Sequence, residues 1–307
     1  MSILVVGTLA FDSVKTPFGE REDALGGSGS YLATAASFFG PVMLAGVIGK
    51  DFPAAHLNFL RSRQIDLRGV QCLPGKTFRW KGHYEHDLNV AHTLETQLNV
   101  LESFKPDLPE DYRNAKTILL GNFDPELQLS VLEQVHSPSL VACDTMNFWI
   151  ERHGAKLRKT LRRVNLLSVN EGEARMLAGE SNLIKAAAAI QKMGPQTVVI
   201  KRGEYGALLF CADGLFAVPG YPLEQVCDPT GAGDTFAGGM LGYMAKRQRY
   251  DVHTLRQAVV VGSLLASFVV EDFSLDRMRT LQHEEVRGRL AAFTRLTHFD
   301  ASSIELS

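Results

Sequence analysis

Residues 227–239, CDPTGAGDTFAGG, combine a turn, a glycine loop and a carboxylate at the head of an apolar pattern. Asp228 and Pro229 open the turn, and Thr230, Gly231, Ala232 and Gly233 let backbone N–H groups converge with no bulky side chain in the way. The run GDTFAGGMLGYMAKRQ (233–248) then reads as a helix. A glycine loop feeding a helix N-terminus gathers unpaired N–H groups and the positive end of the helix dipole, which makes it an anion site. Asp234 stands at that same place, where a static anion would repel it. The combination makes chemical sense if Gly231, Ala232 and Gly233 form an anion hole for a transferring phosphoryl group. Asp234 would then take the proton from the alcohol that attacks it. For the letters GAGD alone, an acid favoured in the first turn of a helix is the simpler alternative.

Such a site needs a frame. Short apolar runs at 3–7, 42–49, 117–121, 140–144, 165–170 and 197–203 read as buried strands, separated by helical patterns over 28–39, 53–63, 125–135, 151–160, 171–178 and 183–193. This alternation predicts an α/β fold with a central, mainly parallel sheet flanked by helices. Ligands of such sheets sit beyond the carboxyl ends of the strands, where Gly7, Gly49, Gly121, Asp144 and Asn170 fall. Two segments, about 13–25 and 76–97, alternate polar and apolar residues and lack a following helix. They predict a small β-sheet lid over the crevice, discontinuous in sequence, within a single domain spanning 1–307. The tail after Phe293 carries no reading.

Composition narrows the classes. The 307 residues are 45% hydrophobic and 21% charged with a formal net charge of −2, which gives no footprint for nucleic acid or anionic lipid. The four cysteines (72, 143, 211 and 227) are far apart and form no CxxC pair, so a reducing cytoplasm is expected. MSILVVGTLAFDS lacks the basic start and long apolar run of a signal peptide and reads as a buried first strand. No apolar run reaches the length of a membrane span, and QAVVVGSLLASFVV (257–270) is expected to be a buried helix. His83, His86 and His92 cluster in the lid, but His83 and His86 would point to opposite faces of a strand, against a zinc site.

Two familiar nucleotide loops are absent. PGKT (74–77) has Val70 where a Walker A loop needs its first glycine, and neither GSGSYL (27–32) nor GAGDTF (231–236) meets the dinucleotide pattern GxGxxG. DPTGAGDTF followed by AGG instead resembles the C-terminal signature of the PfkB, or ribokinase-like, carbohydrate kinase family. GTLAFD (7–12), GGSGSYLATAASFFG (26–40), GVIGKDF (46–52) and NEGE (170–173) follow that family's order and spacing, so the resemblance covers nearly the whole chain.

The resemblance implies an ATP-dependent phosphotransferase with Asp234 as general base. Asp12, at the end of the first strand, together with Gly26, Gly27 and Tyr31, would bind the acceptor; a local Asx-turn is the other reading of Asp12. Asn170 and Glu173 would order Mg2+, through water, and the phosphates of ATP. N-x-x-E at a strand–helix junction is also a helix capping box, and the two roles are compatible. Lys201 and Gly203 end a strand near the nucleotide, where Lys201 or Arg202 would touch phosphate or simply face solvent. Gly262 and Ser263 would flank adenine, and a monovalent cation such as K+ would sit near 228–233. Tyr31 replaces an asparagine common in sugar kinases of the family; with Phe78 and Trp80 it would form an aromatic pocket or the core of the lid. DTMNFWI (144–150) resembles a D-x-N stretch of fructokinase relatives, with Arg152 close to their arginine. The expected acceptor is therefore a small polyol, a sugar first and a nucleoside as the alternative, with homodimerisation through the lid. A non-catalytic sugar or nucleotide sensor is a rival of another class, and the absent early GxGxxG opposes an NAD-dependent oxidoreductase.

Overall fold

The computed structural model describes residues 3–298 and 300. Met1, Ser2, Phe299 and residues 301–307, which belong to the expected 1–307 domain and to its closing tail, lie outside the described residues. The strands are β1 (Ile3–Val6), β2 (Ala10–Thr16), β3 (Gly19–Gly26), β4 (Val42–Gly49), β5 (Ile65–Leu73), β6 (Phe78–Tyr84), β7 (Ala91–Gln97), β8 (Thr117–Leu120), β9 (Leu140–Asp144), β10 (Leu166–Asn170), β11 (Thr197–Lys201), β12 (Ala207–Cys211) and β13 (Gly214–Val218).

Among the described residues, nine strands form the central sheet in the order β13-β12-β11-β10-β9-β8-β1-β4-β5. Every neighbouring pair from β5 to β11 is parallel, and β12 and β13 close that edge antiparallel. Strands β1, β4, β8 and β9 are buried along their whole length, which is why they read as unbroken apolar runs. Alternate residues feed two layers. Ile3, Val5, Leu119 and Val199 pack with Leu32, Met240 and Leu265, while Leu4, Val6, Ile118 and Ile200 pack with Val131, Leu157 and Ile190. The strand order reverses at β1, with β4 on one side and β8 on the other, so the crevice at their carboxyl ends is a topological switch point.

Among the described residues, the second sheet has four strands in the order β3-β2-β6-β7. It consists of two antiparallel hairpins laid side by side, with β2 and β6 parallel. Across its second hairpin, the rings of His83 and His92 stack 5.0 Å apart.

Several boundaries differ from expectation for local reasons. The strand expected over 197–203 stops at Lys201, because Gly203 takes a φ of +55° and opens a short 3-10 turn. The helix expected over 151–160 is two helices, Asn147–Arg152 and Gly154–Leu161, broken at His153. Asp12 does not end the first strand: β1 stops at Val6, and Asp12 lies in β2 of the small sheet. The buried helix expected over 257–270 runs from Val252 to Val269, 18 residues of mean hydropathy 1.4, so by length and composition it does reach a membrane span. Its apolar character serves the core, where Leu255, Ala258, Val259, Leu264, Leu265 and Phe268 are buried among Phe236, Met240 and Met244.

Candidate active site

The helix Ala232–Arg247 begins after Gly231, whose φ of +75° lies in the left-handed region, and no side chain caps it. A helix start leaves its first N–H groups without intrahelical partners. Here the N–H of Ala232 donates to Pro229 O at 3.1 Å and that of Thr235 to Gly231 O at 2.8 Å. Among the described residues, the N–H groups of Gly231, Gly233 and Asp234 find no acceptor in the protein. The donor set thus differs from the expected trio: the Ala232 amide is spent on the turn at Pro229, and the amide of Asp234 takes its place. Tyr31 is buried, with its ring in the space a side chain on Gly231 would occupy. It therefore backs the loop from within the protein.

Three strand ends converge on this loop. Asp144 at the end of β9 is buried and pairs with Lys201 Nζ from the end of β11 at 2.7 Å. The buried amide of Gln128 donates to Gly121 O at 2.8 Å and to Asp144 O at 3.1 Å, locking the ends of β8 and β9 together. Lys201 turns inward and Arg202 outward, the latter toward Glu171 at 3.5 Å. At the end of β10, Asn170 caps the helix Glu171–Ala178. Its Oδ1 accepts from the Glu173 N–H at 2.8 Å, and Glu173 Oε2 accepts from the Asn170 N–H at 2.7 Å, so the capping box is complete. Glu173 is nevertheless buried within electrostatic reach of Asp144, Lys201 and Asp234.

Burial and the negative field of Asp144 raise the Asp234 carboxyl to about 7, against the pull of Lys201, with Asp12 raising it further. Burial and Asp144 likewise push Glu173 up to about 8, opposed by Lys201 and the Asn170 N–H. For Lys201, burial works against the charge, but Asp144 and Glu173 outweigh it and hold the ammonium above its ordinary value. Three carboxylates, Asp144, Glu173 and Asp234, share one lysine. Burial keeps two of the three poorly ionised on their own, so a divalent cation arriving with the phosphates would favour their charged forms, met through water rather than a ready-made carboxylate cage.

Asp12 enters from the small sheet. Its carboxylate fills the space beside Gly26 and accepts from the Gly27 N–H at 3.4 Å. Gly27 has a φ of +85°, and a Cβ there would stand 2.5 Å from Thr8 O, so the turn admits no other residue without strain. Burial raises Asp12 to about 7, opposed by the Gly27 N–H, while Asp228 adds to the rise. Asp12 pairs in register with Trp80, and strand alternation puts Phe78 and Tyr84 on the same face. Trp80 lies along Gly82 with Nε1 donating to Thr93 Oγ1 at 3.1 Å.

The small sheet is tied to the loop at several points. Thr230 Oγ1 donates to Tyr84 Oη at 3.2 Å and Thr16 Oγ1 donates to Cys227 O at 2.9 Å, while the Asn89 side chain abuts Gly203 in the turn after β11. Asp228 is buried and accepts from the Thr230 and Ser274 N–H groups, fixing the turn before the loop. Gly262 is not brought to this site. It is buried where two helices touch, and a Cβ there would stand 2.6 Å from Phe236 O, so its glycine serves close packing. Tyr84, Asn89 and Gln128 carry no signal in the sequence that marks them for this site. Asp144 carried a signal as a polar strand end, but nothing in the letters joined it to Lys201.

Comparison with known proteins places this geometry. The chain is 35% identical over 255 residues to the cytidine kinase of Thermococcus kodakarensis, covering 80% of this chain and 90% of that protein. The fold superposes on the Methanocaldococcus jannaschii nucleoside kinase, a member of the ribokinase family, with TM-score 0.75, 20% identity and coverage of 95% of this chain and 98% of that one. It also superposes on a Burkholderia thailandensis nucleoside kinase in complex with inosine, with TM-score 0.72, 20% identity and coverage of 96% and 97%. The architecture is ribokinase-like, as expected. The model of the pfkB family of carbohydrate kinases matches residues 3–279, and the chain belongs to that family.

Proposed function

We propose that this kinase transfers the terminal phosphoryl group of ATP to a hydroxyl of a nucleoside. The observation that carries the choice of acceptor is the register that sets Asp12 beside Trp80, with Phe78 and Tyr84 on the same face of the small sheet. A carboxylate accepts hydrogen bonds from ribose hydroxyls, and a row of aromatic rings offers a base something to stack on. A free sugar, the first expectation from the motifs, uses only the carboxylate. The likeness to a cytidine kinase supports the same choice.

In this mechanism Asp12 holds the ribose and the small sheet acts as the lid that excludes water. Asp234 accepts the hydroxyl proton as the acceptor oxygen bonds to the terminal phosphorus and the bond to the bridging oxygen of ADP breaks. The N–H groups of Gly231, Gly233 and Asp234 hold the transferring oxygens. Glu173 and Asn170 would hold Mg2+ through water, and the ion supplies charge neutralisation along the phosphates. A monovalent cation beside 228–233 is part of the proposal and would show as stimulation by K+ over Na+. A cytoplasmic setting is part of the proposal, as the wide spacing of the four cysteines suggests. Homodimerisation is proposed through the exposed edge strand β7.

The test is ADP release from the purified protein with Mg2+–ATP across nucleosides and free sugars. Turnover with a pyrimidine or purine nucleoside well above that with ribose or fructose is expected. Turnover with free sugars alone would overturn the acceptor, and ligand binding without ADP release would favour the sensor.

A further inference from the structure

The glycine at position 233 and the pair Lys201–Asp144 are one arrangement. The ammonium of Lys201 stands 3.0 Å from where a Cβ on residue 233 would be, with no other atom nearer that point. It therefore lies directly against the start of the helix whose Gly231, Gly233 and Asp234 amides are unpaired. For a structural ion pair this is a poor location, since a cation is disfavoured at the positive end of a helix and burying the pair costs desolvation that its attraction does not reliably return. The side chains are 15% and 6% exposed. An ammonium has three donors. Asp144 Oδ2 takes one, and among the described residues no other hydrogen bond from Lys201 Nζ is made. Two partly buried donors thus share the loop with three amides that make no bond within the protein, a convergence of donors that suits an anion.

Resting on the kinase reading above, we propose that Lys201 is a catalytic residue that contacts the transferring phosphoryl group, held at the glycine loop by Asp144 and admitted there because residue 233 has no side chain. Asp144 is then a positioning residue. It tethers the ammonium from the end of β9 and, with Gln128 fixing its backbone, sets how far the charge reaches. Lys201 keeps its proton throughout. It adds a full positive charge to the amides, and its contact tightens as charge develops on the equatorial oxygens, so it acts on turnover more than on ground-state affinity.

The test compares Lys201→Met, Lys201→Arg, Gly233→Ala and Asp144→Asn with the wild type in nucleoside phosphorylation. A second readout is the rise in unfolding temperature on adding ADP, Mg2+, aluminium fluoride and nucleoside, a mimic of the transferring group. Lys201→Met is expected to lose about 10²–10³-fold in kcat with nucleoside KM within about threefold, as for removal of one transition-state donor. It should also lose most of the aluminium fluoride protection while keeping its affinity for ADP. Lys201→Arg should recover part of both. Gly233→Ala leaves both members of the ion pair in the chain and asks the ammonium to give by only a few tenths of an ångström, so it should lower kcat by less than Lys201→Met. Asp144→Asn, which removes the tether, carries the test if Lys201→Met does not fold and should lower kcat with nucleoside KM within about threefold. Turnover of Lys201→Met or Asp144→Asn within threefold of wild type would overturn the proposal, as would full aluminium fluoride protection in an inactive Lys201→Met. A wild type that phosphorylates no acceptor would instead overturn the kinase reading beneath it.

Discussion

Replacing Asp234 with asparagine should cripple the enzyme and stabilise it at the same time, with a pH dependence fixed by the environment of the carboxyl. In the native protein its pKa is about 7 against an ordinary value of 3.8, chiefly because burial and Asp144 disfavour the charge. The difference of about three units corresponds to about 4 kcal/mol of bias toward the protonated form. Between those two values the native state binds more protons than the unfolded chain, so stability falls as pH rises through this window. The full cost of the ionised base is present above about pH 7. Asparagine has the same shape without the charge. Asp234→Asn should therefore be the more stable protein at pH 8, by as much as about 4 kcal/mol and several degrees in Tm. The advantage should shrink by about 1.4 kcal/mol for each pH unit from 7 toward 4. The same substitution removes the proton acceptor, worth about 10²–10⁴-fold in turnover. Thermal unfolding of both proteins from pH 5 to 9, without ligands, gives the first quantity, and kcat/KM for a nucleoside gives the second. In the wild type, kcat/KM should fall tenfold per unit below about pH 7. A variant no more stable than wild type at pH 8, an advantage independent of pH, or near-normal turnover would each refute the reasoning.

Three further outcomes follow from the same geometry. Asp12→Asn should raise nucleoside KM about 10–100-fold with a smaller change in kcat, as expected for losing a charged hydrogen-bond acceptor from the ribose; steady-state kinetics at saturating ATP checks it. Glu173→Gln can still complete the capping box, so unfolding temperature should change little, while the Mg2+ concentration for half-maximal rate rises about tenfold by titration. Gly262→Ala should cost about 1–3 kcal/mol by forcing two helices apart, measured by chemical denaturation, with KM for ATP unchanged because that position packs against Phe236 rather than nucleotide.

The parts of this site that could be read from letters are those whose determinants are neighbours in sequence. A glycine loop, an acid and an apolar helix lie within residues 227–248, and their meaning survives without the rest of the fold. The same holds for Asn170 and Glu173, whose three-residue spacing is a cap wherever it occurs. What could not be read depended on register between distant segments. Whether Lys201 or Arg202 faces the loop is a question of strand parity, decided by where β11 stops. The pairing of Lys201 with Asp144 spans two strand spacings across β10. Tyr84 reaches Thr230 only because the small sheet folds across the crevice. Asp12 was identified as a site residue but assigned to the wrong element, since the chain leaves β1 at Val6 and returns in β2. Gly262 shows another limit: a glycine in a helix permits either a ligand or another backbone to approach, and the letter does not say that the backbone of Phe236 fills this space.

That ambiguity resolves once each glycine is matched to what occupies the space it leaves. Gly26 leaves room for the carboxylate of Asp12, Gly231 for the ring of Tyr31 and Gly233 for the ammonium of Lys201. The side chain comes from the facing strand of the same hairpin at Gly26 and from an element remote in sequence at Gly231 and Gly233, and two of the three bring the charges proposed to act on the acceptor and on the phosphate. The glycine loop thus has two faces with different duties: one offers N–H groups outward, and the other is shaped to let side chains of the frame come up beneath it. A substitution at Gly26 is then a substitution of Asp12 by displacement, whereas one at Gly233 asks only a small retreat of the Lys201 ammonium. Gly26→Ala should therefore carry the kinetic signature of losing Asp12, a raised KM, even though the carboxylate itself is still in the chain, while Gly233→Ala should show a smaller loss in kcat than Lys201→Met.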